Sequence, residues 1–206
     1  MANDSNAATI KDAELTPISD KKGIEILLCL PPWFNDGERY KISNAPARTA
    51  ALEFEGADLN FVARVLYAEA SGSQQLKDAD ARAAEKAAIM NVNHFRLNRK
   101  GYPNNAYIAR TFQAVCKAPG QFESVYEGKA KFIGTEQVRA EKLSKVECAD
   151  LCEALAAVKL FLNSGPDDKY QFDNFRGFNP NGQGTHIGRS RFWLSATGER
   201  MLVKEP

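Results

Sequence analysis

Apolar residues recur at helical spacing in three separate stretches of the chain, and this recurrence constrains the fold more than any other feature. Leu59, Val62, Val65 and Leu66 follow one another at the helical period. They run from a start near Asp58, a residue type favoured at helix N-caps, to a stop at Ser71-Gly72-Ser73. A second stretch, from about Asp80 to Asn98, has a narrow face of Ala84, Ala87, Ala88, Asn91 and Phe95, small enough for close helix packing. Arg96, Arg99 and Lys100 at its end suit the negative pole of a helix dipole, and Gly101 suits the C′ position. A third stretch, from about Lys145 to Asn163, carries a stripe of Leu151, Leu155, Val158 and Leu162 and stops at Gly165-Pro166.

The regions outside these helices differ in kind. Residues 1–20 are small and polar and read as a flexible arm. Residues 21–55 read as a small N-terminal extension. Its run GIEILLCL suits a buried strand, and Pro31-Pro32 and Asp36-Gly37 mark turns, so a small β element is expected beside the main domain, 56–206. The segment from Asp167 to Ser195, containing KYQFDNFRGFNPNGQGTHIGRSRFW, cannot pack as an amphipathic helix. Interleaved aromatic, amide and glycine residues suit a carbohydrate groove. They equally suit an irregular surface loop with a few buried rings.

Size and charge narrow the function classes. A chain of 206 residues suits one domain with an appendage. With 27 basic against 26 acidic side chains there is no basic excess of the kind nucleic-acid partners require. The longest apolar run, from Ile24 to Pro32, is broken by Glu25 and too short to span a bilayer. The N-terminus lacks the basic and apolar regions of a signal peptide, so the expectation is a protein made in the cytoplasm and delivered elsewhere, if at all, by a non-classical route. The four cysteines are Cys29, Cys116, Cys148 and Cys152. Cys148 and Cys152 lie one helical turn apart, which disfavours a disulfide between them. They lack the nearby ligands of a zinc site. No metal is expected, and most of the cysteines read as small buried apolar residues.

Four stretches, in order, resemble the cell-wall hydrolase family of spore-cortex lytic enzymes. Phe61 to Gly72, FVARVLYAEASG, is similar to that family's helix ending in a Tyr-Ala/Gly-Glu-Ala-x-Gly signature. Ala87 to Asn93 resembles its second helix ending in Asn. Pro119 to Val125, PGQFESV, resembles its Gln-Phe-Ser element, and His186 to Trp193, HIGRSRFW, its closing Ile-Gly-x-His-x-Phe-Tyr element. The resemblance spans about residues 59–194, roughly two thirds of the chain. There are departures: Ala83-Ala84 stand for a Gly-Gln pair, Asn93-His94 for Asn-Arg, and Ser190 for the closing His, with His186 four residues upstream. Lys129 to Glu147 looks like an insertion. The resemblance implies a mainly α (α+β), lysozyme-like domain with a single essential glutamate at Glu69. It also implies cleavage between N-acetylmuramic acid and N-acetylglucosamine in peptidoglycan, in several members as a lytic transglycosylase needing no cofactor.

Glu69 has a setting that suits a general acid. It falls at the end of a predicted helix, where the partial negative charge disfavours an ionised carboxylate, and Leu66, Tyr67 and Ala70 are its neighbours. A carboxyl kept protonated can donate to a glycosidic oxygen. Hydrolases of the retaining or inverting kind need a second carboxylate. The nearby candidates Asp78, Asp80 and Glu85 fall where a solvated helix start would place charges. A one-carboxylate route is therefore expected, in which the muramoyl C6 hydroxyl attacks and a 1,6-anhydro end forms. Gln121 and Phe122 are expected to line the cleft, Phe122 alternatively packing in the core. Tyr67 either positions Glu69 or belongs to the core. Tyr170, Asn174 and His186 are groove candidates.

Three alternatives stay open at this point. One is a hydrolytic muramidase, a lysozyme using water, whether phage or spore lysin. Another is a cysteine-dependent amidase or peptidase with Cys116 as nucleophile and His186 as base. The third is a non-catalytic wall-binding module. An antibacterial effector acting in the periplasm or cell wall would fit the expected non-classical delivery. It would imply a secretion-machine partner and a cognate immunity protein.

Overall fold

The structure, a computed structural model, describes residues 15–19, 25–43, 53–97, 99, 102, 108–129, 131–132, 142–177 and 182–196. Two short antiparallel pairs come first. β1 (Leu15–Ser19) pairs with β2 (Glu25–Cys29), and β3 (Arg39–Lys41) pairs with β4 (Glu53–Glu55). The expected β element is therefore present. It begins within the stretch read as a flexible arm, because Leu15–Ser19 forms the partner strand of β2.

α1 (Gly56–Glu69) continues directly from β4. Leu59, Val62, Val65 and Leu66 are all fully buried. Each such side chain contributes roughly 1.5–3 kcal/mol by leaving water, so this one stripe anchors the core. Asp58 does not cap α1. The N-cap position is Glu55, and the Asp58 carboxylate accepts from the backbone N–H groups of Phe112 and Gln113 at 2.8 and 2.6 Å, at the start of α3 (Phe112–Cys116). The N-cap preference of aspartate is thus met across the fold rather than along the chain.

α2 (Ala79–Arg96) is capped by Asp78, whose carboxylate accepts from the N–H groups of Asp80 and Ala81. α4 (Glu123–Tyr126) is a single turn. α5 (Lys145–Ser164) opens with a capping box between Ser144 and Glu147 and ends at Gly165, whose φ of 74° only glycine adopts readily. Its stripe of Leu151, Leu155, Val158 and Leu162 is buried as expected, and the helix packs on both α1 and α2. No helix among the described residues is long and apolar enough to cross a membrane. Most of the 129–147 insertion, and the Gly101 proposed to end α2, lie outside the described residues.

The Asp167–Ser195 segment is more regular than its composition indicates. After a 3-10 turn (Asp168–Tyr170) it forms β5 (Asn174–Gly177), β6 (Thr185–Ile187) and β7 (Ser190–Trp193) in an antiparallel sheet ordered β5-β7-β6. Phe192 is fully buried and packs against Phe172 and Phe175. These rings supply the core face that such short strands otherwise lack. The result is a mixed α+β architecture, helices at the centre and small antiparallel sheets around them.

Burial and one cross-link refine the sequence reading at two places. Arg96 stands in the last turn of α2 as expected, but neither it nor Arg99 is a surface cation. Arg96 Nε donates to the Asp173 carbonyl at 2.8 Å, Arg99 pairs with the Asp173 carboxylate at 2.8 Å, and both arginines are buried. The cysteines are buried, as most were expected to be, but two are cross-linked. Cys29 of β2 and Cys148 of α5 form a disulfide across 119 residues of sequence, with Cα atoms 5.7 Å apart, while Cys116 and Cys152 remain free and buried. The rejected Cys148–Cys152 pairing is indeed absent. The pairing partner came from the N-terminal extension, which sequence spacing does not reveal.

His94, standing where the resembling family has arginine, packs on Phe161 with ring centroids 5.3 Å apart. Burial lowers its pKa from 6.5 to about 4. The folded chain therefore resists a proton that the unfolded chain accepts. Stability should fall as pH drops from 6.5 to about 4 and lose no more to this group below that. Thermal unfolding followed across this window should show a shallower slope in His94→Phe. An unchanged slope would remove His94 as its cause.

Candidate active site around Glu69

Glu69 is the last residue of α1, and its side chain is half-buried. Its Oε1 accepts a hydrogen bond from the backbone N–H of Ser124 at 2.8 Å. Ser124 sits in the single turn of α4, so the carboxyl bridges the end of one helix and the start of another. The bond also distinguishes the two oxygens. An oxygen that accepts from an N–H is the carbonyl-like one, so a proton on this carboxyl resides on Oε2. Among the described residues, Oε2 makes no hydrogen bond. Ser124 is buried, and its own hydroxyl has no partner among the described residues.

The chain that follows Glu69 is held from several sides by charged groups. The Ser71 N–H donates to Glu85 Oε2 at 3.0 Å, and the Ser71 carbonyl accepts from Lys86 Nζ at 3.1 Å. The Ser73 N–H donates to Asp150 Oδ1 at 2.9 Å. Arg82 donates to the carbonyls of Leu76 and Lys77, and Arg189 to that of Gln75. Glu153 of α5 in turn binds Arg82 at 2.6 Å and Lys86 at 3.2 Å. The signature glycine has a steric reason here. A Cβ on Gly72 would lie 2.4 Å from Asp150 Oδ2.

Glu85 is not the solvated helix-start residue expected from sequence. It is buried, and besides Ser71 it accepts from the Arg189 N–H at 3.3 Å and the Ser190 hydroxyl at 2.6 Å. Ser190, standing where the resembling family closes with histidine, thus ties β7 to α2. Gly188, at φ 61°, lets the β6–β7 turn approach, since a Cβ there would lie 2.8 Å from that of Glu85. Asp78 serves as the α2 cap, and Asp80 lies exposed in its first turn. All three candidates for a second carboxylate therefore occupy structural or solvated positions.

The other expected site residues separate. Tyr67 is buried, and Lys131 Nζ lies 4.4 Å from its ring centroid. Burial, with Glu147 and Asp150 adding to it, pushes the Tyr67 phenol well above its ordinary range, so it stays neutral. Burial likewise lowers Lys131, against the opposing pull of Asp150, Glu147 and Glu69. Gln121 is half-buried, with its amide donating to the Pro119 carbonyl at 3.3 Å. Phe122 follows the core alternative. It is 1 % exposed, with Arg96 over its ring and Phe175 beside it. Tyr170 is buried too, a correction to its place among groove residues. Asn174 joins the buried network around Asp173, donating to Asp173 Oδ1 at 2.7 Å and accepting from Arg96 at 3.4 Å. His186 is exposed on β6, opposite Arg191.

Cys116 has none of the features of a nucleophile. Its thiol is fully buried, lies 3.2 Å from Asn93 Oδ1 as a donor, and is pushed well above the ordinary thiol range by burial. A groove of about 180 Å³ between α2 and α5, lined by Met90, Asn91, Leu160, Phe161 and Asp167 among others, includes none of the residues around Glu69.

Sequence reasoning missed the groups that hold the Glu69 loop: Arg82, Lys86, Asp150 and Glu153. One signal was readable. Glu85 lies three and four residues before the apolar Ala88 and Ile89, on the face that helical spacing turns inward. Compared with protein-family models, curated proteins and solved structures, the chain matches none.

Proposed function

We propose that the chain cleaves peptidoglycan glycan strands between N-acetylmuramic acid and N-acetylglucosamine, as a lytic transglycosylase with a lysozyme-like domain and Glu69 as its acid. One observation carries this reading. A single half-buried carboxyl ends α1 with one oxygen pinned by the Ser124 N–H, while the other is left to carry and deliver a proton. Glu69 Oε2–H protonates the glycosidic oxygen, and the C1–O bond breaks as the muramoyl ring gains oxocarbenium character. The carboxylate so formed accepts the proton of that sugar's C6 hydroxyl as its oxygen bonds to C1. The acid is regenerated, and no water is consumed. The occupation of Asp78 and Glu85 by structural hydrogen bonds favours this route over one needing a second carboxylate.

The product distinguishes the chemistries. Muropeptides from sacculi digested by the purified protein should end in 1,6-anhydromuramic acid, about 18 Da lighter than hydrolytic products because water is not added. Reducing muramic ends in the mass spectrum would replace the transglycosylase with a hydrolytic muramidase. Released stem peptides would overturn glycan cleavage altogether.

A further inference from the structure

We propose that the Cys29–Cys148 disulfide locks the Glu69 loop through α5, with Asp150 and Glu153 as positioning residues, and that it closes when the chain meets an oxidising compartment. The proposal rests on the reading of Glu69 as the acid, but its geometry does not depend on that reading. Cys148 lies in the first turn of α5, two residues before Asp150 and five before Glu153. Asp150 holds the Ser73 N–H at 2.9 Å. Glu153 holds Arg82 and Lys86, which hold the carbonyls of Leu76, Lys77 and Ser71. Four of the backbone attachments of the loop after Glu69 therefore run through the first three turns of one helix.

Helix ends open more readily than helix centres. Noncovalent restraint at this end comes from an exposed capping box, Ser144 with Glu147, and from the packing of Cys148 and Leu151. The disulfide adds a covalent tie to β2 at that same end, and both of its sulfurs are buried. Opening the bond frees the start of α5 to fray, and fraying withdraws Asp150 and Glu153 from the loop.

Closure balances as thiol–disulfide exchange. The Cys148 thiolate attacks a protein or small-molecule disulfide, expelling one thiolate. The Cys29 thiolate then attacks the Cys148 sulfur of the mixed disulfide and expels the second. The two thiols of this chain are oxidised, and the partner disulfide is reduced to two thiols. Because both sulfurs end up buried, exchange precedes docking of β2. Such bonds persist outside the reducing cytoplasm, where peptidoglycan also lies. Cys152 packs in the same cluster as Cys29 and Cys148. Burial raises its thiol above the ordinary range, which keeps it a poor competitor.

The test compares the full chain oxidised and reduced by dithiothreitol, well below the unfolding midpoint of the reduced form. Amide exchange is read at Ser73, whose N–H Asp150 holds, against Val65 in the centre of α1, and turnover on soluble glycan strands is followed in parallel. Reduction should speed exchange at Ser73 while Val65 stays protected. It should also lower kcat about tenfold to a hundredfold with KM little changed, as expected for a misplaced catalytic group. The Cys29→Ala/Cys148→Ala variant should behave as the reduced protein and ignore the reductant. Equal exchange and equal kcat in both redox states overturn the lock, as does peptide mapping that joins Cys29 to Cys152. Altered exchange with no turnover in either state upholds the lock and sinks the peptidoglycan reading.

Discussion

Glu69→Gln should abolish wall cleavage, lowering the rate about 10²- to 10⁴-fold, the usual share of a general acid. The fold should survive. The amide oxygen of glutamine can take the Oε1 place and accept the Ser124 N–H, and its volume matches. What disappears is the transferable proton on the second oxygen. Release of soluble muropeptides from purified sacculi measures the loss, and thermal unfolding checks that the variant is native. Activity within about tenfold of wild type would mean that another group supplies the proton.

Glu153→Ala should cost the most stability of any single change near the site. Its carboxylate is shared by Arg82 and Lys86, whose side chains are only 8 % and 2 % exposed. Removing it strands two buried cations. Breaking a buried ion pair from one side costs about 3–5 kcal/mol. Glu153 itself is 23 % exposed, so water can reach the vacated place and the lower end, about 3 kcal/mol, is expected. For a chain of this length that is a drop of roughly 6–12 °C in Tm. Removing the cations as well, as Arg82→Met/Lys86→Met/Glu153→Leu, should recover much of the loss, since desolvation and attraction then vanish together. A loss below about 1 kcal/mol in the single variant would show that the cations find other partners.

The helical part of the fold was readable from spacing. The stripes of α1 and α5 bury as written, because a 3.6-residue apolar period has only one way to leave water. The local caps Asp78 and Ser144 emerged only with the structure. The expected cap failed at Asp58, whose side chain caps a helix more than fifty residues away. The sheet made from Asp167–Ser195 was missed because its strands are three or four residues long and separated by glycine-containing stretches. Their pairing depends on Phe192 finding Phe172 and Phe175, a contact that no local pattern encodes.

At the candidate site, the place of Glu69 at the end of α1 agrees with the sequence reading. By itself, the sequence determined the three main helices and placed Glu69 near the end of the first. The tertiary structure alone decided which oxygen of Glu69 is pinned, that Glu85 is buried under Ser190, and that Cys29 reaches Cys148. It also withdrew Phe122 and Tyr170 into the interior and tied half-buried Asn174 to Asp173. The physical reason is one of range. Periodicity and capping act over one or two turns and are written in neighbouring residues. A buried charge is tolerated only where a distant partner meets it, so Glu85, Lys86 and Glu153 have meaning only once α2, α5 and the β6–β7 turn have come together.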